Sequence, residues 1–333
     1  MDTLITGGAG YIGSHLADRL LADGHSVVVL DDLSTGRFEN VAHHRGNPRF
    51  AWVQGDVRDA ALVARLVEQC DVVFHLAAVV GVGHVVRDPL RCIQVNVGGT
   101  EAVLAAAFAR RRRVLFASSS EVYGKSDRVP FREEDDRILG PTRVPRWAYA
   151  VSKALDEHLC FAYADRGLEV SIVRYFNSYG PRMDDRGYGS VVARFISQAL
   201  KGEPLTVYGD GHQTRCFTYV SDTVEGTVRA ATRTEALGQA FNIGSDREVT
   251  VRDLAEMIRT LTGSSSPVVQ VPFEQVFGAY YEETSRRRPA IDKARRLLGF
   301  EPAVSLEDGL KQTIRWFEER TISPQSTQRT QRE

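Results

Sequence analysis

The opening of this chain restricts its fold more than any other stretch. A short apolar strand, Asp2 to Thr6, runs into Gly7-Gly8-Ala9-Gly10-Tyr11-Ile12-Gly13, then a helix from about Ile12 to Ala22 closed by Gly24. A second strand, Ser26 to Leu30, ends in Asp31. Small residues in such a loop let the backbone turn tightly and approach a pyrophosphate, whose charge the helix N-terminus favours. A carboxylate at the end of the second strand accepts hydrogen bonds from both adenosine ribose hydroxyls and repels a 2′-phosphate. Asp31 therefore points to NAD rather than NADP.

The alternation continues. Strands are expected at Phe50 to Gln54, Val72 to Leu76, Val114 to Ser118 and Glu169 to Tyr175, separated by helices at Asp59 to Gln69, Pro89 to Arg110 and around Tyr149 to Arg166. Strands spaced by helices build right-handed βαβ units on a parallel sheet, and near-continuous apolar strands fit a sheet covered on both faces. The fold class is α/β, a doubly wound parallel-sheet Rossmann domain with a smaller interleaved C-terminal substrate domain. Residues 1–177 would form the first part, with 216–246 crossing back to it. Residues 178–215 and 247–320 would hold the substrate, and 321–333 would be a disordered tail.

At 333 residues and a net charge of −1, the composition gives no reason to expect a nucleic-acid or membrane-surface partner. The run Arg110 to Arg113 reads as a cationic helix C-terminus. Four scattered cysteines without C-x-x-C spacing read as reduced thiols, and no metal site is expected. The opening strand leaves no room for a signal peptide, and no apolar run looks long enough to span a bilayer. The expected compartment is the cytoplasm.

Chemistry enters with Tyr149-Ala150-Val151-Ser152-Lys153. A tyrosine and a lysine four apart share a helix face. A nearby ammonium and a cationic cofactor ring favour the phenolate and make the tyrosine a usable base. Earlier, Ser118-Ser119-Ser120-Glu121 stands at the carboxyl end of a strand, where open α/β sheets place ligands.

With these motifs in order, the chain resembles the extended short-chain dehydrogenase/reductases, in their nucleotide-sugar epimerase, dehydratase and decarboxylase branch. The resemblance runs from Met1 to about Arg320. It includes Tyr208-Gly209-Asp210-Gly211, Arg215, Tyr219-Val220-Ser221-Asp222 and Asn242-Ile243-Gly244. It implies that Tyr149 takes the proton from a sugar C4 hydroxyl while NAD+ takes the C4 hydride. Lys153 would hold the nicotinamide ribose and Ser119 would bond the same hydroxyl. Asn177 and Arg215 would hold the nucleotide diphosphate, although a turn-capping asparagine and a surface ion pair remain open alternatives. The cofactor shell it implies comprises Gly7, Gly10, Tyr11, Ile12, Gly13, Asp31, Asp32, Ser34, Thr35, Gly36, Asp56, Val57, Leu76, Ala77, Ala78 and Tyr175 beside Tyr149 and Lys153. Substrate contacts would add Ser120, Val192 and Tyr208.

The fate of the 4-keto sugar is read from other residues. Ser119-Ser120-Glu121 is most similar to the Thr-Ser-Glu of UDP-glucuronate decarboxylases, whereas dTDP-sugar 4,6-dehydratases usually carry Asp where Ser120 stands. Arg287, two residues before Pro289, matches the arginine of the decarboxylases' Arg-Lys-Pro segment. The resemblance thus implies oxidation of UDP-glucuronate at C4, loss of CO2 and formation of UDP-xylose or the 4-keto pentose. Arg287 would orient the carboxylate or assist reprotonation, and Glu121 would serve as acid/base or position a water. The alternatives are a UDP-hexose or UDP-uronate 4-epimerase and a catalytically idle NAD-binding regulator. One departure stands out: after Ala77 the decarboxylases carry a Ser-Pro-rich loop, where this chain has Ala78-Val79-Val80-Gly81-Val82-Gly83-His84. His84 is either a substrate contact or an ordinary loop histidine. The resemblance also implies a homodimer through a four-helix bundle formed by the Pro89 to Arg110 and Tyr149 to Arg166 helices. Ala102, Ala105 and Ala106 would permit close packing there.

Overall fold

The structure is a computed structural model that describes residues 1–184, 190–278 and 282–322. Seven parallel strands form the main sheet: β1 (Asp2–Thr6), β2 (Ser26–Asp31), β3 (Phe50–Gln54), β4 (Val72–His75), β5 (Arg113–Ser119), β6 (Val170–Tyr175) and β7 (Ala240–Ile243). Their spatial order is β7-β6-β5-β4-β1-β2-β3. The order reverses between β1 and β4, so the loops that follow these two strands diverge and open a crevice at their carboxyl ends.

Successive side chains of a strand point to opposite faces, and the core divides accordingly. Ile5, Val29, Phe74, Leu115, Val173 and Phe241 pack in one cluster. Leu4, Leu30, Val73, Val114, Phe116 and Ile172 pack in the other. Both faces are apolar because both are covered by helices, which is why the strands read as continuous hydrophobic runs.

The glycine loop is set by close approach. Gly7 has φ +71, and a Cβ on it would lie 2.8 Å from the backbone of Ala77. A Cβ on Gly13 would fall on the carbonyl oxygen of Gly7. The helix that follows, Tyr11–Ala22, has no acidic residue in its first turn, leaving its N-terminal amides suited to an anion.

The long helix Pro89–Arg110 packs between Ala60–Glu68 and Trp147–Ala164. It corrects the expectation about apolar runs: by length and composition it is long and apolar enough to cross a membrane. In this fold its Cys92, Thr100, Val103, Leu104 and Ala107 are buried. After β6 the chain leaves the sheet, forms small strands and helices, and returns at β7. Thr214–Cys216 pairs antiparallel with Glu248–Thr250 and parallel with Arg286–Arg287. The last helix, Leu306–Ile322, extends through the first two residues of the expected disordered tail; 323–333 lie outside the described residues.

Candidate active site

One cavity of about 440 Å³ opens at the carboxyl ends of the strands. Its walls bring together Gly7, Gly10, Tyr11, Ile12, Gly13, Asp31, Asp32, Ser34, Thr35, Asp56, Val57, Leu76, Ala77, Ala78 and Tyr175 with Ser119, Ser120, Glu121, Tyr149, Lys153, Asn177 and Arg287.

At the dinucleotide end, Asp31 closes β2 and is nearly buried. Its oxygens accept from the backbone amides of Ala9 (3.0 Å) and Leu33 (2.9 Å). Burial raises its carboxyl, and those amides pull it partly back. Gly36 does not line the cavity but lies against this carboxylate: a Cβ there would come within 2.8 Å of both oxygens. The side chain of Asp56 is turned to Arg58. Together the glycine cradle, the bare helix N-terminus and the buried Asp31 fit a dinucleotide with a free ribose.

The helix Trp147–Ala164 lies over β5 and carries Tyr149 and Lys153, both buried. Lys153 Nζ donates to the Ala117 carbonyl at 2.9 Å and lies 4.6 Å from the centre of the Phe116 ring. Burial lowers its pKa, and the neighbouring Asp156 carboxyl opposes the shift. Burial pushes the Tyr149 phenol up, a hydrogen bond with Ser119 lowers it and the Glu121 charge raises it. The positive nicotinamide ring of a bound NAD+ is the influence that would bring the phenol down.

Glu121 follows β5 in a short 3₁₀ turn. Arg287 Nη1 stands 2.7 Å from its Oε1 and Arg146 Nη2 3.3 Å from its Oε2. Burial would raise this carboxyl, but Arg287 and Arg146 outweigh it and hold it at about 2. Glu121 is therefore an anion at neutral pH, able to accept a proton or orient a water but not to donate a proton.

Arg146 escaped the sequence reading. It is buried, its guanidinium lies 4.9 Å from the Trp147 ring centre, and it occupies the N-cap of the helix that carries Tyr149. A cation at a helix N-terminus opposes the macrodipole, and that mismatch was the available signal. Glu283, which lies 4.0 Å from Arg146 and 2.6 Å from Arg215, was also missed.

Of the remaining expected contacts, Arg215, Tyr208 and Val192 lie outside the cavity wall. Arg215 donates to Glu283 and to the Thr214 carbonyl. The Tyr208 ring faces the Arg194 guanidinium at 3.7 Å. Val192 is fully buried in the core. Asn177, at φ +37, lines the cavity while its side-chain amide donates to the Cys216 carbonyl at 3.1 Å.

A dinucleotide cradle joined to a buried Tyr/Lys pair and a strand-end hydroxyl defines an NAD-dependent enzyme that oxidises and reduces a carbinol carbon. Residues 3–244 match the model of the NAD dependent epimerase/dehydratase family, and the chain belongs to that family. It is 48% identical over 316 residues to UDP-N-acetyl-alpha-D-glucosaminuronate decarboxylase of Bacillus cytotoxicus, covering 95% of this chain and 97% of that one. It is 41% identical to UDP-glucuronic acid decarboxylase 1 of Danio rerio, covering 94% and 72%. The structure of UDP-glucuronic acid 4-epimerase from Bacillus cereus, in complex with UDP-glucuronic acid and NAD, superposes with TM-score 0.86 and 31% identity, covering 96% of this chain and all of that one.

Proposed function

We propose that this enzyme decarboxylates a UDP-linked hexuronate, UDP-glucuronate or its 2-acetamido counterpart, through a 4-keto intermediate. The observation that carries the reading is the Glu121–Arg287 pair at 2.7 Å beside Tyr149. On this reading, with C4 at the tyrosine, the carboxylate-bearing C5 comes to this arginine and its anion. The identity to two decarboxylases over most of the chain supports it.

Bound NAD+ supplies the hydride acceptor for C4. Tyr149 takes the C4 hydroxyl proton, and Ser119 donates to the C4 oxygen. The resulting ketone is β to the C5 carboxylate, so the C5–carboxyl bond breaks, CO2 leaves, and its electron pair is held as an enolate. Tyr149 and Ser119 hydrogen-bond that oxygen, at about 3 kcal/mol per donor in well-studied sites. Arg287 exchanges Glu121 for the substrate carboxylate, and Glu121 orients the water that delivers a proton to C5. Return of the hydride to C4, with the proton back from Tyr149, would give UDP-xylose or its 2-acetamido form; release before that return would give the 4-keto pentose. Incubation with UDP-glucuronate and the 2-acetamido sugar, followed by mass spectrometry and NMR, tests the reading. A product lighter by the mass of CO2 is expected for the pentose, and lighter by CO2 and two hydrogens for the 4-keto pentose. Recovery of both sugars with their carboxylates, or their C4 epimers at unchanged mass, would overturn it.

The same reading divides the chain into a cofactor part, residues 1–177 with 216–246, and a substrate part, residues 178–215 and 247–320. It places Tyr208, Asn177 and Arg215 on the nucleotide side. It also makes the enzyme a cytoplasmic homodimer. The long helix exposes Leu90, Ile93 and Phe108, and its neighbour exposes Val151 and Leu155, an apolar surface suited to a second copy.

A further inference from the structure

The sheet order fixes which way a bound sugar ring runs. β5 lies between β4 and β6, and Ser119 at its end, with Tyr149 above, marks the middle of the reaction centre. Arg287 belongs to the β6 side. Asn177, just after β6, bonds Cys216, and Thr214–Cys216 pairs with Arg286–Arg287. In a hexuronate, C4 is bonded to C5 and C3. With C4 at Tyr149 and the C5 carboxylate drawn to Arg287, C3 and C2 run toward the β4 side. The wall there is the loop after β4.

That loop is apolar and held in place. From Ala77 to Gly83 it carries no hydroxyl, amide or charged side chain. The Val79 amide donates to Asn96 Oδ1 at 2.8 Å, and the Val79 carbonyl accepts from Asn96 Nδ2 at 3.4 Å. Asn96 is fully buried and also donates to the Ser152 hydroxyl at 3.0 Å, on the helix turn between Tyr149 and Lys153. Val79 itself packs with Tyr149. The wall is thereby registered to the catalytic tyrosine. Val80, which lines the cavity, is nevertheless 51% exposed. It is an apolar group offered to whatever occupies the C2 side.

We infer that Val80 is a specificity-determining residue that receives the C2 substituent of the hexuronate and favours an acetamido group over a hydroxyl. The inference rests on the decarboxylase reading and deepens it. A C2 hydroxyl finds no side-chain hydrogen-bond partner on this stretch, whereas an acetamido methyl covers the exposed valine. One small apolar group in a fitted pocket discriminates by roughly 10-fold or more.

The test compares UDP-glucuronate with UDP-N-acetylglucosaminuronate in the wild type and in Val80→Ser. Both kcat/KM and calorimetric affinity in the presence of NAD are measured. Val80 is half exposed, so the substitution leaves the core intact. The wild type is expected to favour the acetamido sugar by roughly 10-fold or more. Val80→Ser should cut that ratio about fivefold, through KM and affinity for the acetamido sugar rather than through kcat. A wild-type preference for the hydroxyl sugar, or a ratio unchanged in Val80→Ser, overturns the inference. Failure of both sugars to lose CO2 overturns the decarboxylase reading alone, because the calorimetric ratio still decides the role of Val80.

Discussion

Three side chains in and behind the cavity have charges that their surroundings set, and each gives a test. Tyr149→Phe removes the group proposed to handle the C4 proton and should lower kcat by about 10²–10⁴-fold. NAD affinity, read by fluorescence, should change little. Arg146→Leu removes one of the two cations that hold Glu121 at about 2. The carboxyl should then titrate closer to its ordinary value, which NMR of the labelled side chain would report. Its stabilising contribution is full above the unfolded value of 4.5 and is lost as pH falls through about 2. In Arg146→Leu that loss moves to higher pH. Asp156 behaves in the opposite sense. It is fully buried, and burial raises its carboxyl to about 6, with Lys153 pulling it down. The folded protein binds the extra proton, so a penalty accumulates as pH rises from 3.8 to about 6. Asp156→Asn should be more stable than wild type at pH 7.5 by about 1–3 kcal/mol and equal to it near pH 4. Denaturant titrations at the two pH values check this. A variant no more stable at pH 7.5 would show that support of the Lys153 charge outweighs burial.

At the scale of elements, the strand end that presents Ser119 and Glu121 is braced by a buried network. Ser118 donates to Glu157 at 2.6 Å, and Arg174 contacts both Glu157 oxygens at 2.8 and 2.7 Å. Arg174 also donates to the Tyr123 hydroxyl, which donates to Asn242 on β7. Glu157 sits one turn beyond Lys153 on the same helix, so helix, strand end and sheet edge share one set of bonds. Glu157→Ala leaves Arg174 without its buried counter-ion and should cost about 3–5 kcal/mol, read by denaturant unfolding. The elements that were legible beforehand were those whose signal is local. The glycine loop, Asp31 and the Tyr149/Lys153 spacing each lie within one βα unit or one helix turn, and the structure brings them to one cavity. Arg146 and Glu283 were not legible, because their meaning exists only where residues 121, 146, 215 and 283 meet across the fold. The resemblance makes Val192 a substrate contact. The inward face of the helix Val191–Lys201 takes it into the core instead.

For the whole molecule, strand alternation announced a parallel sheet, and β7 supplies the expected return of the chain to it. The small sheet that carries Arg215 and Arg287 was less readable. Its two- and three-residue strands are too short to show any periodicity. Assembly gives the prediction at this scale. Leu155→Glu places a charge on the apolar surface of the paired helices and should convert the proposed dimer to a monomer, with sedimentation velocity as the measure. Wild type sedimenting as a monomer would remove the dimer proposal outright.

The position of Arg287 on a two-residue strand near the end of the chain has a consequence for biosynthesis. The ribosome delivers the glycine loop, Tyr149 and Lys153 long before it delivers Arg287. A nascent chain halted after β7 contains every strand of the main sheet, yet lacks Arg287, the nearer of the two arginines that pair with Glu121. The residues of the nucleotide cradle are thus made first, and the arginine proposed to direct the fate of the sugar acid follows much later. A truncated translation product would carry the glycine loop, Tyr149 and Lys153 without the arginine proposed to set the reaction's outcome.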